Sequence, residues 1–87
     1  MTYRIDLMLN LTTGPMIDSV EADGLDGAWE QATGMVRQAY GSDWGDEHLA
    51  AWSGLGRIVS REAPAGTEGG KPWTHTTTAV VVTVTRK

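Results

Sequence analysis

The only close group of potential metal ligands in the chain is Asp43, Asp46, Glu47 and His48. Carboxylate oxygens and an imidazole bind a divalent cation when a loop arranges them around it. This segment lacks the alternate-position acids and the closing glutamate of a calcium loop, and it contains a single histidine. The pattern is more typical of negative charge at the start of a helix, so we predict no metal and no cofactor.

General base catalysis is the next chemistry to consider, and His75 is the only other histidine. Such a base needs a nucleophile and an orienting carboxylate beside it. Ser42, Ser53 and Ser60 lie in no nucleophile-elbow motif, and the Gly-Gly-Lys run at 69–71 is followed by proline, unlike a phosphate loop. We therefore predict a protein that is not an enzyme, and keep a small enzyme or metal-binding protein as the last alternative.

Charge is unevenly distributed along the chain, whose formal net charge is −4 at pH 7. Residues 1–50 carry a net −7, whereas residues 51–87 carry a net +3. Part of this pattern serves helix ends and solubility. The functional interpretation is an acidic face that attracts a protein partner with a basic surface. Nucleic acid is a disfavoured partner, because proteins that bind it are usually basic. If it were bound, Trp73 would be the stacking platform and the basic residues would be Arg57, Arg61, Lys71, Arg86 and Lys87.

Six residues are predicted to bind a partner because each offers an acid, a small residue or an indole to the surface: Asp26, Gly27, Glu30, Gly34, Trp44 and Trp73. The two glycines lie one heptad apart on the polar side of a helix, where they would allow another backbone to approach closely. The two tryptophans lie in loop-like segments. An exposed indole often anchors an interface, but each of these two could equally cover the end of a small core.

Hydrophobic periodicity indicates the elements that must position these residues. Residues 3–11 alternate between apolar and polar, which predicts a half-buried strand, and a short turn leads to a second strand over Met16–Ala22. Apolar residues then recur with helical spacing, which predicts one amphipathic helix over 24–40. Asp23 is the expected N-cap, and Gly41 is the expected left-handed residue at the C-terminal end.

The rest of the chain is less regular. We predict a short second helix that begins at Ser42 or Asp43 and reaches Trp52, a third strand over 55–62, and a hairpin loop over 63–74. A final strand over 76–86 is rich in Thr and Val and is expected inside the sheet, because a bare edge of this composition would aggregate. The predicted fold is a single α+β domain over 1–87, a four-stranded antiparallel sheet in ββαββ order with one helix on one face.

The run from Ser19 to Ala32 resembles the strand-to-helix step of many small α+β domains, HicB-like antitoxins among them. The resemblance covers fourteen residues. The Pro-containing strand segment and the Gly-Cys element of that family are absent ahead of it. No functional residue is carried over from the family to this chain.

The leading functional hypothesis is a non-enzymatic protein–protein interaction module. The chain has no cysteine and no apolar stretch long enough for a signal peptide or a membrane span, so we predict a cytoplasmic protein without membrane contact. Arginine outnumbers lysine five to two, and residues with GC-rich codons are frequent, which suggests an accessory protein of a phage or an actinobacterium. The alternative is a small structural component of a virion or a homo-oligomeric assembly.

Overall fold

The computed structural model describes residues Met1–Lys87 and shows four strands and two helices in the order ββααββ. The elements are β1 (Thr2–Leu11), β2 (Gly14–Asp23), α1 (Leu25–Tyr40), α2 (Asp46–Gly66), β3 (Trp73–Thr76) and β4 (Val80–Arg86). All strand pairs are antiparallel, and the order across the sheet is β2-β1-β4-β3. The predicted α+β class and four-stranded antiparallel sheet are confirmed. The predicted ββαββ order is corrected, because two full helices separate the two hairpins.

The alternation of apolar residues decides which face of the sheet is buried. Ile5, Leu7 and Leu9 of β1 are at most 1% exposed, and they pair with the three buried valines of β4. Successive side chains of a strand point to opposite faces, so the intervening residues of β1 and β4 lie on the other face. The core therefore lies between one face of the sheet and the helices, and the opposite face is open to solvent.

Helix α1 has the position and amphipathic pattern that the sequence predicts. Its buried residues Ala28, Ala32 and Val36 lie one turn apart and pack over β1 and β2. Small alanines at these positions allow the helix to lie close to the sheet. The side of α1 that faces the core is thus fully occupied by packing.

The predicted N-terminal cap of α1 is wrong, whereas the predicted residue at its C-terminal end has the expected positive φ. Asp23 is not the N-cap but the last residue of β2, where it accepts a hydrogen bond from the Thr2 hydroxyl at 3.2 Å. Gly24 takes the cap position with a φ of 96°, a value that turns the chain sharply from strand to helix and suits glycine. At the other end Gly41 has the expected positive φ, 57°, and its N–H bonds to the carbonyl of Arg37.

The strand predicted over 55–62 is wrong, because this segment belongs to α2, a helix of 21 residues. The buried residues of α2 recur every three or four positions: Trp52, Leu55, Gly56, Val59 and Ala63. That spacing has the helical period, with Val59 fully buried and its neighbour Ile58 only partly buried. The predicted short second helix is therefore one part of a longer helix. Neither helix is both long and apolar enough to cross a membrane.

Both ends of α2 also differ from the prediction. The helix begins after Gly45, and residues Gly41–Asp43 form a short 3-10 turn instead of capping it. At the far end Thr67 is fully buried and donates two hydrogen bonds to the Ala63 carbonyl, from its N–H at 2.9 Å and from its hydroxyl at 2.7 Å. The predicted loop over 63–74 is thus mostly structured, since it includes the last turn of α2 and the start of β3.

The strand predicted over 76–86 begins too early, because Thr76 is the last residue of β3 and a turn at 77–79 precedes β4. The Thr77 hydroxyl accepts a hydrogen bond from the N–H of Val80 at 3.0 Å, and the Thr77 N–H donates to the Val80 carbonyl at 2.8 Å. A threonine side chain closes this turn without the glycine, proline or asparagine that usually marks one. The predicted interior position of the final strand is confirmed, since β4 lies between β1 and β3.

The two helices contact each other through a pair of indoles. The rings of Trp29 in α1 and Trp52 in α2 stack with their centroids 4.3 Å apart and their planes 10° from parallel. The Trp52 indole N–H donates a hydrogen bond of 2.6 Å to the hydroxyl of Thr33. Gly56 provides the space for this pair, because a Cβ at that position would lie 2.7 Å from Trp29 Nε1. The helix contact thus requires both tryptophans and a residue without a side chain.

Candidate functional site

Negative charge is concentrated on β2 and α1. Together these two elements hold one basic residue, Arg37, and five acids: Asp18, Glu21, Asp23, Asp26 and Glu30. Their excess of four acids equals the formal net charge of the whole chain. Because β2 is at the edge of the sheet, no strand pairs with its outer side. Three of the five acids therefore lie on a strand whose outer edge no other strand covers.

The two helix acids that the sequence predicts as binding residues, Asp26 and Glu30, are exposed on α1. Neither forms an ion pair within the chain. Asp26 also lines a shallow cleft with Ser60 and Pro64 of α2, at the N-terminal end of α1. Both carboxylates are available to a basic partner.

Only the first of the two predicted glycines lies against β2. A Cβ at Gly27 would contact the Ala22 Cβ at 3.6 Å, so Gly27 is partly buried against the sheet. Gly34 lies two turns further along the same side of the helix, because seven residues make about two turns. It is exposed, and a Cβ there would meet nothing within 4 Å. A role of the two glycines in partner binding stays a prediction.

The open face of the sheet carries an apolar row that the sequence interpretation missed. Ile17 of β2, Met8 of β1 and Val81 of β4 are direct neighbours across the strands. Ile17 is 77% exposed, and the other two are partly exposed. The alternation of β2 contains the signal, since Ile17 shares its face with the polar residues Ser19 and Glu21. An apolar side chain thus lies directly beside the acidic edge.

The acidic first half and the basic second half of the chain are not fully separated in the folded structure. Lys87 donates a hydrogen bond to the Glu21 carboxylate, with Nζ 2.5 Å from Oε1. This hydrogen bond and the charge of Lys87 lower the pKa of Glu21, and the charge of Arg4 adds to the effect. The pairing arises because β4 lies next to β1, which brings the basic C-terminus to the acidic hairpin.

The two predicted surface tryptophans are partly buried at opposite ends of α2. Trp44 packs on the core just before α2 begins, and its ring centroid is 5.9 Å from that of Tyr40. Trp73 of β3 packs on the core at the other end, where a Cβ at Gly66 would lie 3.0 Å from Trp73 Cγ. Of the two roles left open by the sequence, covering the core is the one their positions fit.

Trp44 also lines an apolar cavity of about 110 Å³ at the end of the core. The cavity lies where α1 ends and α2 begins, and its wall combines four aromatic rings with core residues and three exposed small residues: Leu9, Val36, Tyr40, Trp44, His48, Ala51, Trp52, Leu55, Thr77, Ala79 and Val80. A polar cleft of about 290 Å³ adjoins it and shares Tyr40 and His48. No sequence motif indicates this cavity, since five separate segments of the chain form its wall.

The basic residues considered for nucleic acid are not gathered on one surface. Arg57 and Arg61 lie one turn apart on α2 and border a shallow groove beside Trp29. Lys71 and Trp73 are not part of that groove. The Trp73 indole, considered as a stacking platform, packs on the core. The basic side chains therefore do not form a row with exposed aromatic rings, as in proteins that bind single-stranded nucleic acid.

The residues considered for metal binding and base catalysis have local structural contacts. No three Asp, Glu or His side chains lie close enough together to hold a metal ion. His48 Nδ1 accepts a hydrogen bond from the Gly45 N–H at 3.4 Å and so caps the start of α2. His75 lies on the helix side of β3, where its ring stacks 6.0 Å from the ring of Trp73.

No protein-family model, curated protein or solved structure is similar enough to this chain to count as a match.

Proposed function

We propose that this chain is a cytoplasmic, non-enzymatic protein–protein interaction module that binds a basic, extended segment of its partner along β2. The observation that supports this most strongly is the edge of β2, ten residues long and unpaired on its outer side. Three acids and no basic residue lie on this strand. The proposal assigns the acidic face predicted from the sequence to this edge and to the adjacent side of α1.

An unpaired strand edge presents backbone N–H and C=O groups that can pair with another strand. Natural edges are usually protected by charged side chains, proline or a bulge. On β2, Pro15 and the three acids have this effect, and the Asp18 carboxylate accepts a hydrogen bond from the Ser19 N–H at 2.8 Å. Its acids disfavour pairing between two copies of β2, because such pairing would bring acid next to acid. The same acids favour an incoming strand that carries Lys or Arg.

Space beside α1 supports the same binding mode. A strand added outside β2 would lie about 4.8 Å from it. Gly27 of α1 lies against β2, where an added Cβ would contact the Ala22 Cβ at 3.6 Å, so the start of the helix presents no large side chain there. On the opposite face Ile17 offers an apolar contact. Asp26 and Glu30 add a negative field that speeds the encounter with a basic segment.

The proposal is tested with a fluorescein-labelled peptide of alternating Lys and Val, (Lys-Val)4, whose length of roughly 27 Å suits the edge. Fluorescence anisotropy measures its affinity for the wild type and for the double variant Asp18→Lys/Asp23→Lys. We expect saturable binding to the wild type and at least a tenfold loss in the variant, since the two substitutions change the charge of β2 from −3 to +1. Binding should also weaken with added salt.

Two controls separate strand pairing from general attraction between opposite charges. The variant Glu62→Lys/Glu68→Lys changes the net charge equally on exposed residues away from β2, and it should bind like the wild type. A peptide with proline in place of alternate valines keeps its charge but loses N–H donors, and it should bind weakly. Equal losses in both double variants would show that only net charge matters, and the proposal would then be rejected.

A homo-oligomeric building block is the second candidate, and the apolar row of Ile17, Met8 and Val81 favours it. A row of this kind on an uncovered sheet face can pack against the same face of another copy. Light scattering after size exclusion gives the mass of the wild type and of Ile17→Lys. A dimer that dissociates in the variant would support this candidate, whereas a monomeric wild type would reject it.

A further inference from the structure

We propose that the apolar cavity beside Trp44 and its adjoining cleft form a binding site for a small aromatic amine, with the ring in the cavity and the ammonium group in the cleft. The site does not use the outer edge of β2, so it is independent of the proposed strand binding. It lies between the end of α1, the start of α2 and the two hairpin turns.

The cavity suits an apolar group. Its volume of about 110 Å³ is comparable with the roughly 150 Å³ of an engineered apolar cavity that stays dry and takes up benzene. The Trp52 indole N–H already donates to Thr33, so Trp52 offers the cavity its ring and no free donor. A site without polar partners for water gains from being filled by carbon.

Aromatic side chains give the cavity a preference for rings. The centroids of Tyr40 and His48 are 4.7 Å apart, and those of Trp44 and His48 are 5.9 Å apart. These distances fall in the range of favourable aromatic contacts, which extends from about 4.5 to 7 Å. A planar ring in the cavity would continue the same packing.

The residues of the adjoining cleft favour a ligand with a positively charged group. Tyr40 and His48 line both spaces, so a ligand can occupy the cavity and extend into the cleft. Asp43 is the only acid or base other than the histidine and tyrosine among the residues that line the cleft, and it forms no ion pair. The neighbouring Asn10, Thr12 and Thr13 add polar groups to the cleft. A carboxylate with polar neighbours selects a positively charged donor, and an ammonium close to aromatic rings gains a cation–π contact.

The probe is 2-phenylethylamine, and its binding is measured by the fluorescence of the tryptophans in the wall and by the NMR signals of their indole N–H groups. We expect a saturable change that involves Trp44 and Trp52. Ethylbenzene, which lacks the amine, should bind about two- to fivefold more weakly, the range expected for one exposed ion pair. Asp43→Asn should reduce that difference, and the part that remains comes from the contact of the ammonium with the aromatic rings.

Filling the cavity provides the matched test. Ala51 lines the cavity and Ala50 does not, although both are exposed on α2. Ala51→Phe should reduce binding of the probe at least tenfold, whereas Ala50→Phe should leave it unchanged. Ala79→Phe fills the same cavity from the β3–β4 turn and provides a second variant if Ala51→Phe does not fold. No saturable signal with the wild type, or equal binding by the Phe variants at 50 and 51, would overturn the proposal.

Discussion

Two glycines of α2 give a sharp test of the helix that replaces the predicted strand. Gly54 and Gly56 are two residues apart, but their surroundings differ. A Cβ at Gly54 would meet only the Arg57 guanidinium at 3.9 Å, whereas a Cβ at Gly56 would lie 2.7 Å from Trp29 Nε1. We therefore compare the same substitution, Gly→Ala, at both positions: at Gly54 the added methyl group enters open space, and at Gly56 it meets the stacked ring of Trp29.

The expected magnitudes follow from two effects. Alanine in place of glycine stabilises a helix interior by about 0.5–1 kcal/mol, and this gain applies to both positions. At Gly56 the added methyl group must displace Trp29, which is held by its stacking on Trp52, and overpacking of this kind costs about 1–3 kcal/mol. Because the helix gain cancels in the comparison, Gly56→Ala should be less stable than Gly54→Ala by about 1–3 kcal/mol.

Urea unfolding followed by far-ultraviolet circular dichroism measures both variants against the wild type. Gly54→Ala should be more stable than the wild type, which a strand over 55–62 gives no reason to expect. In thermal unfolding the two variants should differ by at least about 4 °C, given roughly 4–8 °C per kcal/mol for a domain of this size. Equal stability of Gly54→Ala and Gly56→Ala would refute the close contact between Gly56 and Trp29.

Three further substitutions test single contacts. Thr33→Val leaves the buried indole N–H of Trp52 without its acceptor and should lower the free energy of unfolding in urea by about 1–3 kcal/mol, whereas Thr33→Ser should retain most of the stability. Lys87→Gln should raise the pKa of Glu21 towards its ordinary value of 4.5 in an NMR titration of the carboxyl groups, and an unchanged pKa would show that the pair does not form in solution. Because the folded-state pKa of Glu21 is lowered, the stabilisation from its pair with Lys87 is complete above pH 4.5 and is lost as the pH falls through the folded-state pKa. The free energy of unfolding at acidic pH should therefore depend less on pH in Lys87→Gln than in the wild type. Gly41→Ala forces a side chain into a backbone with a φ of 57° and should cost about 1 kcal/mol in thermal unfolding, while no loss would contradict that backbone conformation.

The N-terminal half of the fold follows from sequence patterns that act over short distances. The alternation of β1, interrupted only at Met8, and the helical spacing between Leu25 and Tyr40 each extend over many residues, so the correct period dominates. The error at α1 is confined to its cap, where Gly24 takes the position expected for Asp23. Glycine is favoured at this position because the chain turns with a φ of 96°, which an aspartate would adopt only with strain.

The C-terminal half could not be predicted in the same way, because its signals depend on distant contacts. Gly54 and Gly56 weaken the helix pattern of α2 in the sequence, yet Gly56 is required there by Trp29 of the other helix. The turn between β3 and β4 is closed by the side chain of Thr77, a residue that usually favours strands.

Of the candidate site too, only the features that depend on local sequence patterns could be predicted. The acids and glycines of α1 were identified because helical spacing places them on its polar side. The free edge of β2 could not be identified, since it depends on which strands flank β1 in the sheet. The cavity beside Trp44 depends on five segments that meet only in the folded chain. Sequence patterns thus indicate the chemistry of a surface more readily than its shape.

The most direct test of strand binding along β2 is a ¹H–¹⁵N NMR titration of the wild type with the (Lys-Val)4 peptide. We expect the largest amide shifts in residues 14–23, smaller shifts around Gly27, and slower amide exchange in β2 when the peptide is bound. Shifts centred on β3, or on the groove beside Arg57 and Arg61, with β2 unchanged, would contradict the account.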